Sequence, residues 1–74
     1  MKLQVNGKSR EVPDRLTVAD LLRWLKVKMP EMVSVQLNGT ILKRESFPTV
    51  VLEEDDEVEF LYFMGGGAFS LPTV

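Results

Sequence analysis

The chain has 74 residues, a net charge of −2, and neither cysteine nor histidine. One small domain fits that length, and the missing residue types exclude disulfides, ordinary zinc sites and a catalytic centre built on His or Cys. The weak acidity argues against nucleic acid as a partner, since phosphate binding usually shows as a basic patch, and no apolar run approaches the ~20 residues that span a bilayer.

An N-terminal hairpin is the first predicted element. Apolar and polar side chains alternate over residues 1–6, which is the period of a half-buried strand. The dipeptide Asn6-Gly7 follows, and it is the strongest short-range hairpin signal. Pro13 ends the return strand because proline has no N–H to donate to a ladder. This start lacks the long apolar segment of a signal peptide, so we expect a soluble, cytoplasmic protein.

A single helix is predicted next. The hydroxyl of Thr17 can accept a hydrogen bond from the backbone N–H of Asp20, and the Asp20 carboxylate is favourable in a first turn. From Val18 onward, apolar residues recur at i, i+3, i+4 and i+7, which is one face of a helix. Pro30 forbids continuation, so the helix is expected over residues 18–27.

The second half of the chain is predicted to form three more strands. Residues 33–37 alternate again and end in a second tight turn, Asn38-Gly39. A short return strand over residues 41–44 and a long apolar strand over residues 57–64 complete the set.

This order of elements predicts an α+β fold. A helix that follows an N-terminal hairpin can bury its apolar face on one side of a mixed sheet. Two hairpins around one helix, with the last strand between the outer ones, correspond by analogy to the β-grasp, or ubiquitin-like, arrangement. We therefore expect a mixed sheet of four to five strands packed on one main helix, in a domain that spans residues 1–64.

The two faces of the last strand differ in their predicted roles. If Val58 and Phe60 point to the helix, then Leu61 and Phe63 are exposed on the other face, beside the end of the chain. Neighbouring apolar residues exposed on a small domain favour a partner surface. The alternative is an edge of a small sheet that the C-terminal residues partly cover.

Three consecutive glycines, residues 65–67, follow that strand. Each glycine has more backbone freedom to lose than any other residue, so the run predicts neither a strand nor a helix. We expect residues 65–74 to form a flexible tail, in which the three glycines reach about 10 Å when extended. A thread without Cβ atoms can enter a slot too narrow for other sequences, so we place the function in this segment.

The residues offer no catalytic constellation. The serines have no visible activating partner, and the glycines match neither phosphate-binding pattern. The acidic residues 53–56 favour a solvated turn over a metal site, because a calcium loop needs spaced oxygen ligands and a glycine bend. What remains is a C-terminal glycine carboxylate, which another enzyme can convert with ATP to an acyl adenylate and then to a thiocarboxylate. The chain is thus predicted to be a protein co-substrate and not an enzyme.

Five short stretches, in this order and spacing, resemble the ThiS/MoaD family of ubiquitin-like sulfur carriers. The match covers residues 1–67, and within the family it is most similar to the ThiS proteins of thiamin biosynthesis. It is carried by residues 1–7, 16–22, 35–39, 54–60 and 63–67.

The resemblance implies a mechanism and a set of partners. Gly67 matches the terminal glycine that a ubiquitin-activating-type enzyme adenylates with ATP and Mg, and Gly66 is the fallback. The thiocarboxylate then donates its sulfur to thiazole synthase, while the carrier binds no cofactor and is a monomer on its own. Leu61, Phe63, Gly65 and Gly66 are the expected partner-binding residues.

One departure from the family is residues 68–74, which follow the glycines. While they are attached, Gly67 has no carboxylate, so we expect a precursor that a protease trims. An alternative is that the extension stays attached and the carrier is inactive. Other functions also stay open: a carrier for molybdopterin, cysteine or another thiocarboxylate-dependent synthesis, a ubiquitin-like protein modifier, or a binding module without chemistry at the tail.

Overall fold

One long strand, β5 (Glu57–Met64), organises the fold. The computed structural model describes residues 1–64 and 67–70. Within them the other elements, in chain order, are β1 (Lys2–Val5), β2 (Lys8–Glu11), α1 (Val18–Trp24), a 3₁₀ turn (Pro30–Met32), β3 (Val33–Leu37), β4 (Thr40–Ile41), a second 3₁₀ turn (Arg44–Ser46) and β6 (Gly67–Ser70).

The strands form one mixed sheet in the order β2-β1-β5-β3-β4, and β6 also pairs with β5. β1 runs parallel to β5, whereas β3 runs antiparallel to it. The last long strand therefore lies between the two hairpins, with one α-helix connecting them. This confirms the predicted α+β, β-grasp arrangement, to which β6 adds a further strand.

Both hairpins turn at an Asn-Gly pair, as predicted. Asn6 and Gly7 have φ of 50° and 82°, and Asn38 and Gly39 have φ of 49° and 87°. Two successive left-handed residues define a type I′ turn, whose twist matches that of the flanking strands. Asparagine tolerates this region better than other residues with a Cβ, so the sequence specifies the turn type directly.

The helix begins as predicted. The Asp20 N–H donates to the Thr17 hydroxyl at 3.1 Å, and the Thr17 N–H donates to the Asp20 carboxylate at 3.2 Å. This reciprocal capping box satisfies two backbone donors at the helix start. Val18, Leu21 and Leu22 form the buried face that packs against the sheet.

The helix ends three residues earlier than predicted, at Trp24. Lys26 adopts a left-handed φ of 56°. The N–H of Lys26 donates to the Arg23 carbonyl and the N–H of Val27 donates to the Leu22 carbonyl, both at 3.1 Å. This is a Schellman motif, which closes the helix before the predicted proline stop is reached. Across the described part of the chain, no helix is long and apolar enough to cross a membrane.

The core lies between α1 and one face of the sheet. Every strand of the central trio β1, β5 and β3 contributes alternate side chains to it, as the two-residue period requires. Phe47 enters from the second 3₁₀ turn and closes the core beside the helix. Its members are Leu3, Val5, Val12, Val18, Leu21, Leu22, Leu25, Val27, Val33, Val35, Phe47, Leu52, Val58, Phe60 and Tyr62.

The structure differs from the sequence-based expectation after β5. The glycine run predicts a flexible tail, whereas Gly67–Ser70 form β6, antiparallel to β5. The physical reason is an available edge: β1 pairs with β5 only through Glu57 and Val58, which leaves the later part of that edge for a returning strand. The rest of the predicted tail, residues 65–66 and 71–74, lies outside the described residues.

Candidate functional site at the end of β5

Alternate residues of β5 point to opposite faces of the sheet. Val58, Phe60 and Tyr62 are at most 1 % exposed and belong to the core. Leu61 lies on the other face, where it is half-buried and not fully exposed as expected. The predicted face assignment is confirmed for these four residues, while the side chain of Phe63 lies outside the described part of the structure.

One continuous strand covers the first edge of β5. The whole of β3 is in register with residues 58–62. Asn38 prolongs this pairing, because its N–H donates to the Glu57 carbonyl at 2.7 Å. Since successive N–H groups of a strand point to opposite edges, every second amide of β5, including that of Leu61, faces β3.

The second edge of β5 is covered in three pieces. β1 covers Glu57 and Val58. The Asn6 N–H then donates to the Val58 carbonyl, and the Asn6 side-chain oxygen accepts from the Phe60 N–H, both at 2.9 Å. Finally, β6 pairs with residues 61–64. The turn at Asn6 is therefore the junction where β1 leaves this edge and β6 takes over.

Register places β6 on the second edge. Tyr62 is paired with Val33 of β3 and also with Phe69 of β6, so β6 lies opposite β3. The Phe60 amide already faces this edge, and a period of two brings the amides of Tyr62 and Met64 to the same side. The backbone groups of Tyr62 and Met64 are thus the ones that face β6.

Gly67, the predicted reactive residue, is the first residue of β6 and lies opposite the last residue of β5. The structure brings it into one two-stranded unit with Leu61 and Phe63, two of the predicted partner-binding residues. The other two, Gly65 and Gly66, lie outside the described residues. The predicted site residues that are described are therefore adjacent along one end of the sheet.

Tyr62 anchors this end of β5 to the connection between α1 and β3. Its hydroxyl donates a hydrogen bond to the Lys28 carbonyl. Burial raises the pKa of the Tyr62 hydroxyl, and the nearby negative charge of Glu31 acts in the same direction. The hydroxyl therefore stays protonated at neutral pH and keeps its role as a donor.

Two asparagine side chains hold β5 in a way that the sequence analysis missed. The Asn38 side-chain oxygen accepts from the Glu57 N–H at 2.8 Å, and its amide donates to the Asp56 carboxylate at 3.0 Å. Asn6 accepts from Phe60 on the opposite edge. The available signal was the repeated Asn-Gly pair at the ends of the two strands that flank β5, which we used only to predict turns.

The acidic turn before β5 belongs to the scaffold. The Asp56 carboxylate accepts from the Glu53 N–H at 2.8 Å, and the Asp55 N–H donates to the Lys2 carbonyl at 2.7 Å. Among the residues that the structure describes, no three His, Cys, Asp or Glu side chains are grouped closely enough to hold a metal ion. These contacts tie the start of β5 to β1.

Comparison with known proteins points to one family over nearly the whole chain. A profile described as the ThiS family matches residues 3–67. A crystal structure of a thiamine biosynthesis protein (ThiS) from Geobacter metallireducens is 51 % identical, covers 90 % of this chain and 100 % of its own, and superposes with a TM-score of 0.85. A solution structure of a thiamine biosynthesis protein from that organism is 48 % identical, covers 96 % of this chain and 94 % of its own, and has a TM-score of 0.74.

Two similar proteins are much longer than this chain. A protein named thiazole synthase from Magnetococcus marinus is 37 % identical over 67 residues, and one from Paramagnetospirillum magneticum is 35 % identical over 68 residues. The chain covers 20 % and 21 % of these two proteins, so it spans about a fifth of their length. A third relative, the uncharacterized protein ycf40 of Porphyra purpurea, is 27 % identical and is covered over 93 % of its length.

Proposed function

The chain belongs to the ThiS family, and from that premise we propose that it is a sulfur carrier for the formation of the thiamin thiazole. One observation carries the proposal: the family match spans residues 3–67 and so ends on the third glycine of the run. The 51 % identity to a thiamine biosynthesis protein supports the choice of pathway.

The chemistry that we propose takes place at Gly67. A ubiquitin-activating-type enzyme uses ATP and Mg to join AMP to the Gly67 carboxylate, with release of pyrophosphate. Sulfide delivered by a donor then displaces AMP and leaves a thiocarboxylate, which the acceptor enzyme consumes. The carrier contributes a small, unhindered end and no catalytic group, because glycine has no Cβ to clash with a narrow channel.

The body of the domain supplies a rigid base for that end. Phe60 and Tyr62 are buried in the core, and the Tyr62 hydroxyl is bonded to the chain at Lys28. The position from which the glycines emerge is therefore fixed relative to the sheet. We propose that Leu61 and Phe63, with Gly65 and Gly66 beside them, form the surface on which the activating enzyme and the acceptor dock.

The identity of the acceptor is proposed from the longer relatives. In two proteins named thiazole synthase, a stretch similar to this chain makes up about a fifth of the length. Joining two activities in one polypeptide raises their effective concentration for each other. This supports thiazole synthase as the enzyme that receives sulfur from this carrier.

The residues after Gly67 must be removed before the carrier can act. While Ala68 is attached, the Gly67 carbonyl belongs to a peptide bond and has no carboxylate oxygen to attack the phosphate of ATP. We therefore propose that a protease cleaves between Gly67 and Ala68 and that the chain ending at Gly67 is the active species.

The experiment compares the 74-residue chain with a chain that ends at Gly67. Each is incubated with ATP, Mg, the cognate activating enzyme and a sulfide source, and its intact mass is then measured. The Gly67-ended chain should gain about 16 Da, the difference between the atomic masses of sulfur and oxygen, because its terminal carboxylate is carried by a glycine, which has no Cβ to clash with a narrow channel, whereas Val74 is bulky and β-branched. A matched chain that ends at Met64 should gain nothing. Equal conversion of the uncleaved 74-residue chain would contradict the assignment of Gly67.

A second step identifies the pathway. The loaded carrier is offered separately to thiazole synthase and to the large subunit of molybdopterin synthase, and loss of the thiocarboxylate is followed by mass. We expect consumption by thiazole synthase alone. Consumption by the molybdopterin enzyme, or an amide bond between Gly67 and a lysine of another protein, would replace the proposed function.

A further inference from the structure

We propose that β6 is a latch, in which pairing with β5 holds the Gly67–Ala68 peptide bond in the sheet and delays its hydrolysis until the strand detaches. This inference rests on the proposed function, because the bond in question is the one whose cleavage exposes the Gly67 carboxylate. The structural observation behind it is the register of Gly67–Ser70 with residues 61–64.

The register shows which backbone groups the latch engages. Tyr62 and Met64 present their N–H and C=O groups to this edge, and their partners are Phe69 and Gly67. In a hydrogen-bonded antiparallel pair, each residue both donates and accepts. The carbonyl of Gly67, which a hydrolase must polarise, is therefore directed at the Met64 amide.

A paired strand is a poor substrate for a protease. Hydrolysis requires the carbonyl of the cleaved bond to enter a set of hydrogen-bond donors in the enzyme, and the segment around it must be accessible. In the latched state, the Gly67 carbonyl already has a donor and one side of the segment lies against β5. Cleavage should therefore follow the population in which β6 is detached.

The latch can open without unfolding the domain. Within residues 1–64 and 67–70, which the structure describes, β6 is paired with β5 alone, whereas β5 is paired on both of its edges. Detaching four residues at the end of a sheet leaves β1, β3 and the core in place, so this opening belongs to the low end of the range of local opening energies. The junction at Asn6 marks the point beyond which the edge can separate.

Hydrolysis needs water as its only co-reactant. The bond between the carbonyl carbon of Gly67 and the nitrogen of Ala68 breaks, the hydroxyl of water goes to Gly67 and its proton goes to Ala68. The products are the Gly67 carboxylate and a free amine on Ala68. After cleavage, the part of β6 that contains Phe69, the partner of Tyr62, is no longer joined to Gly67. Its detachment from β5 is therefore irreversible.

A reversible lock tests the proposal. Leu61 and Ser70 are directly opposite, and alternation makes them a non-hydrogen-bonded pair, in which Cα atoms are about 4.5 Å apart, within the range of a disulfide. The natural chain has no cysteine. The double variant Leu61→Cys/Ser70→Cys can therefore form one bridge only, which closes the latch when oxidised and releases it when reduced.

The measurement is the rate at which proteinase K, a protease of broad specificity, cleaves any bond within residues 67–70, followed by mass after quenching and reduction. We expect the oxidised variant to be cut about tenfold more slowly than the same protein after reduction. The single variant Leu61→Cys, treated with the same oxidant, controls for effects of the oxidant on the protease. Its cleavage rate should be the same before and after reduction. Equal rates in the oxidised and reduced double variant would overturn the latch, and so would failure of the two cysteines to bridge.

This outcome is independent of sulfur chemistry. If the Gly67-ended chain takes up no sulfur while the lock slows cleavage, the proposed function fails and the latch stands. If sulfur is taken up while the lock has no effect, the latch fails and the proposed function stands.

Discussion

The two edges of β5 are covered in different ways. One edge is paired with a single strand, β3, through five consecutive residues. The other is covered by two residues of β1, by the Asn6 turn and by β6. On the second edge, β6 can separate from β5 while β1 and the Asn6 turn stay paired with it. On the first edge, β3 can separate from β5 only if the whole domain unfolds.

This difference suits the proposed function, in which the end of the chain must move while the body of the domain stays folded. The core side chains of β5 and the β3 ladder fix the strand, and the Tyr62 hydroxyl adds a bond to the connection before β3. The piece that we propose to detach, β6, begins with Gly67, the residue on which the proposed chemistry depends. In this account the continuous β3 edge holds β5 in place, and the proposed detachment takes place on the opposite edge.

The largest expected effect comes from breaking the continuous edge. Ser34 lies opposite Leu61, and its N–H faces β5. Ser34→Pro removes that donor from the middle of the ladder and should lower the free energy of unfolding by about 3 kcal/mol or more, a large share of the stability of a small domain. Urea unfolding followed by circular dichroism measures this loss.

The matched substitution on the other edge is Phe69→Pro, which also removes one ladder donor opposite β5. Because β6 lies at the end of the sheet, the cost should be within about 1 kcal/mol of the natural chain. Phe69→Ala controls for loss of the ring. Equal destabilisation by the two prolines would show that both edges are integral to the fold.

A second prediction concerns the junction at Asn6. Asn6→Gly keeps the left-handed turn but removes the acceptor of the Phe60 N–H, which is buried. Leaving that donor without its side-chain acceptor should cost about 1–3 kcal/mol of unfolding free energy. Asn38→Gly is the control, because the Glu57 N–H that loses its acceptor in this variant is exposed to water. Asn38→Gly should therefore lower the free energy of unfolding by less than Asn6→Gly does. A larger loss of unfolding free energy in Asn38→Gly than in Asn6→Gly would contradict the assigned importance of the Asn6 bond.

The third prediction concerns Leu61, which belongs to both ladders and points away from the core. Leu61→Ser should change the free energy of unfolding by less than about 1 kcal/mol while weakening binding to the activating enzyme by about 1–3 kcal/mol. Calorimetric titration of the Gly67-ended chain measures the binding. Arg23→Ala, on the exposed side of α1, is the control and should leave affinity unchanged. Loss of folding instead of affinity would assign Leu61 to the core.

The last expected effect lies away from both edges, at the start of α1. Thr17→Ala removes the helix cap and should lower the free energy of unfolding by about 1 kcal/mol, without changing hydrogen exchange of the β5 amides.

The hydrogen bond from the Thr17 backbone holds the pKa of Asp20 below its ordinary value of 3.8. A depressed pKa stabilises the fold above that value, and the gain is lost as pH falls through the folded pKa. In Asp20→Asn, the free energy of unfolding should therefore fall less steeply as the pH is lowered below about 4. The same pH dependence in the variant and the natural chain would contradict a stabilising role for the Asp20 carboxylate.

Much of the fold could be predicted because local signals and packing agree. The Asn-Gly turns, the capping box at Thr17 and the alternation in β5 each specify one structure, and all three are observed. The end of α1 was wrong by three residues, because Lys26 adopts a left-handed conformation that sequence statistics assign mainly to glycine.

The site was less predictable for two physical reasons. A glycine run argues against a strand, and only the available edge of β5 explains why Gly67–Ser70 nevertheless pair. That edge exists because β1 turns away at Asn6, which is a property of the assembled sheet. The hydrogen bond that the Phe60 N–H donates to the Asn6 side chain joins residues 54 positions apart and has no local signature.

Hydrogen exchange at two adjacent amides tests the difference between the edges most directly. The Leu61 amide faces β3 and the Tyr62 amide faces β6, so they report on opposite edges of the same strand. In the 74-residue chain both should be protected, and in the chain that ends at Gly67 the Tyr62 amide should exchange about tenfold faster or more while Leu61 is unchanged. If the two amides exchange alike in both chains, β6 does not cover this edge and the contrast between the two edges is wrong.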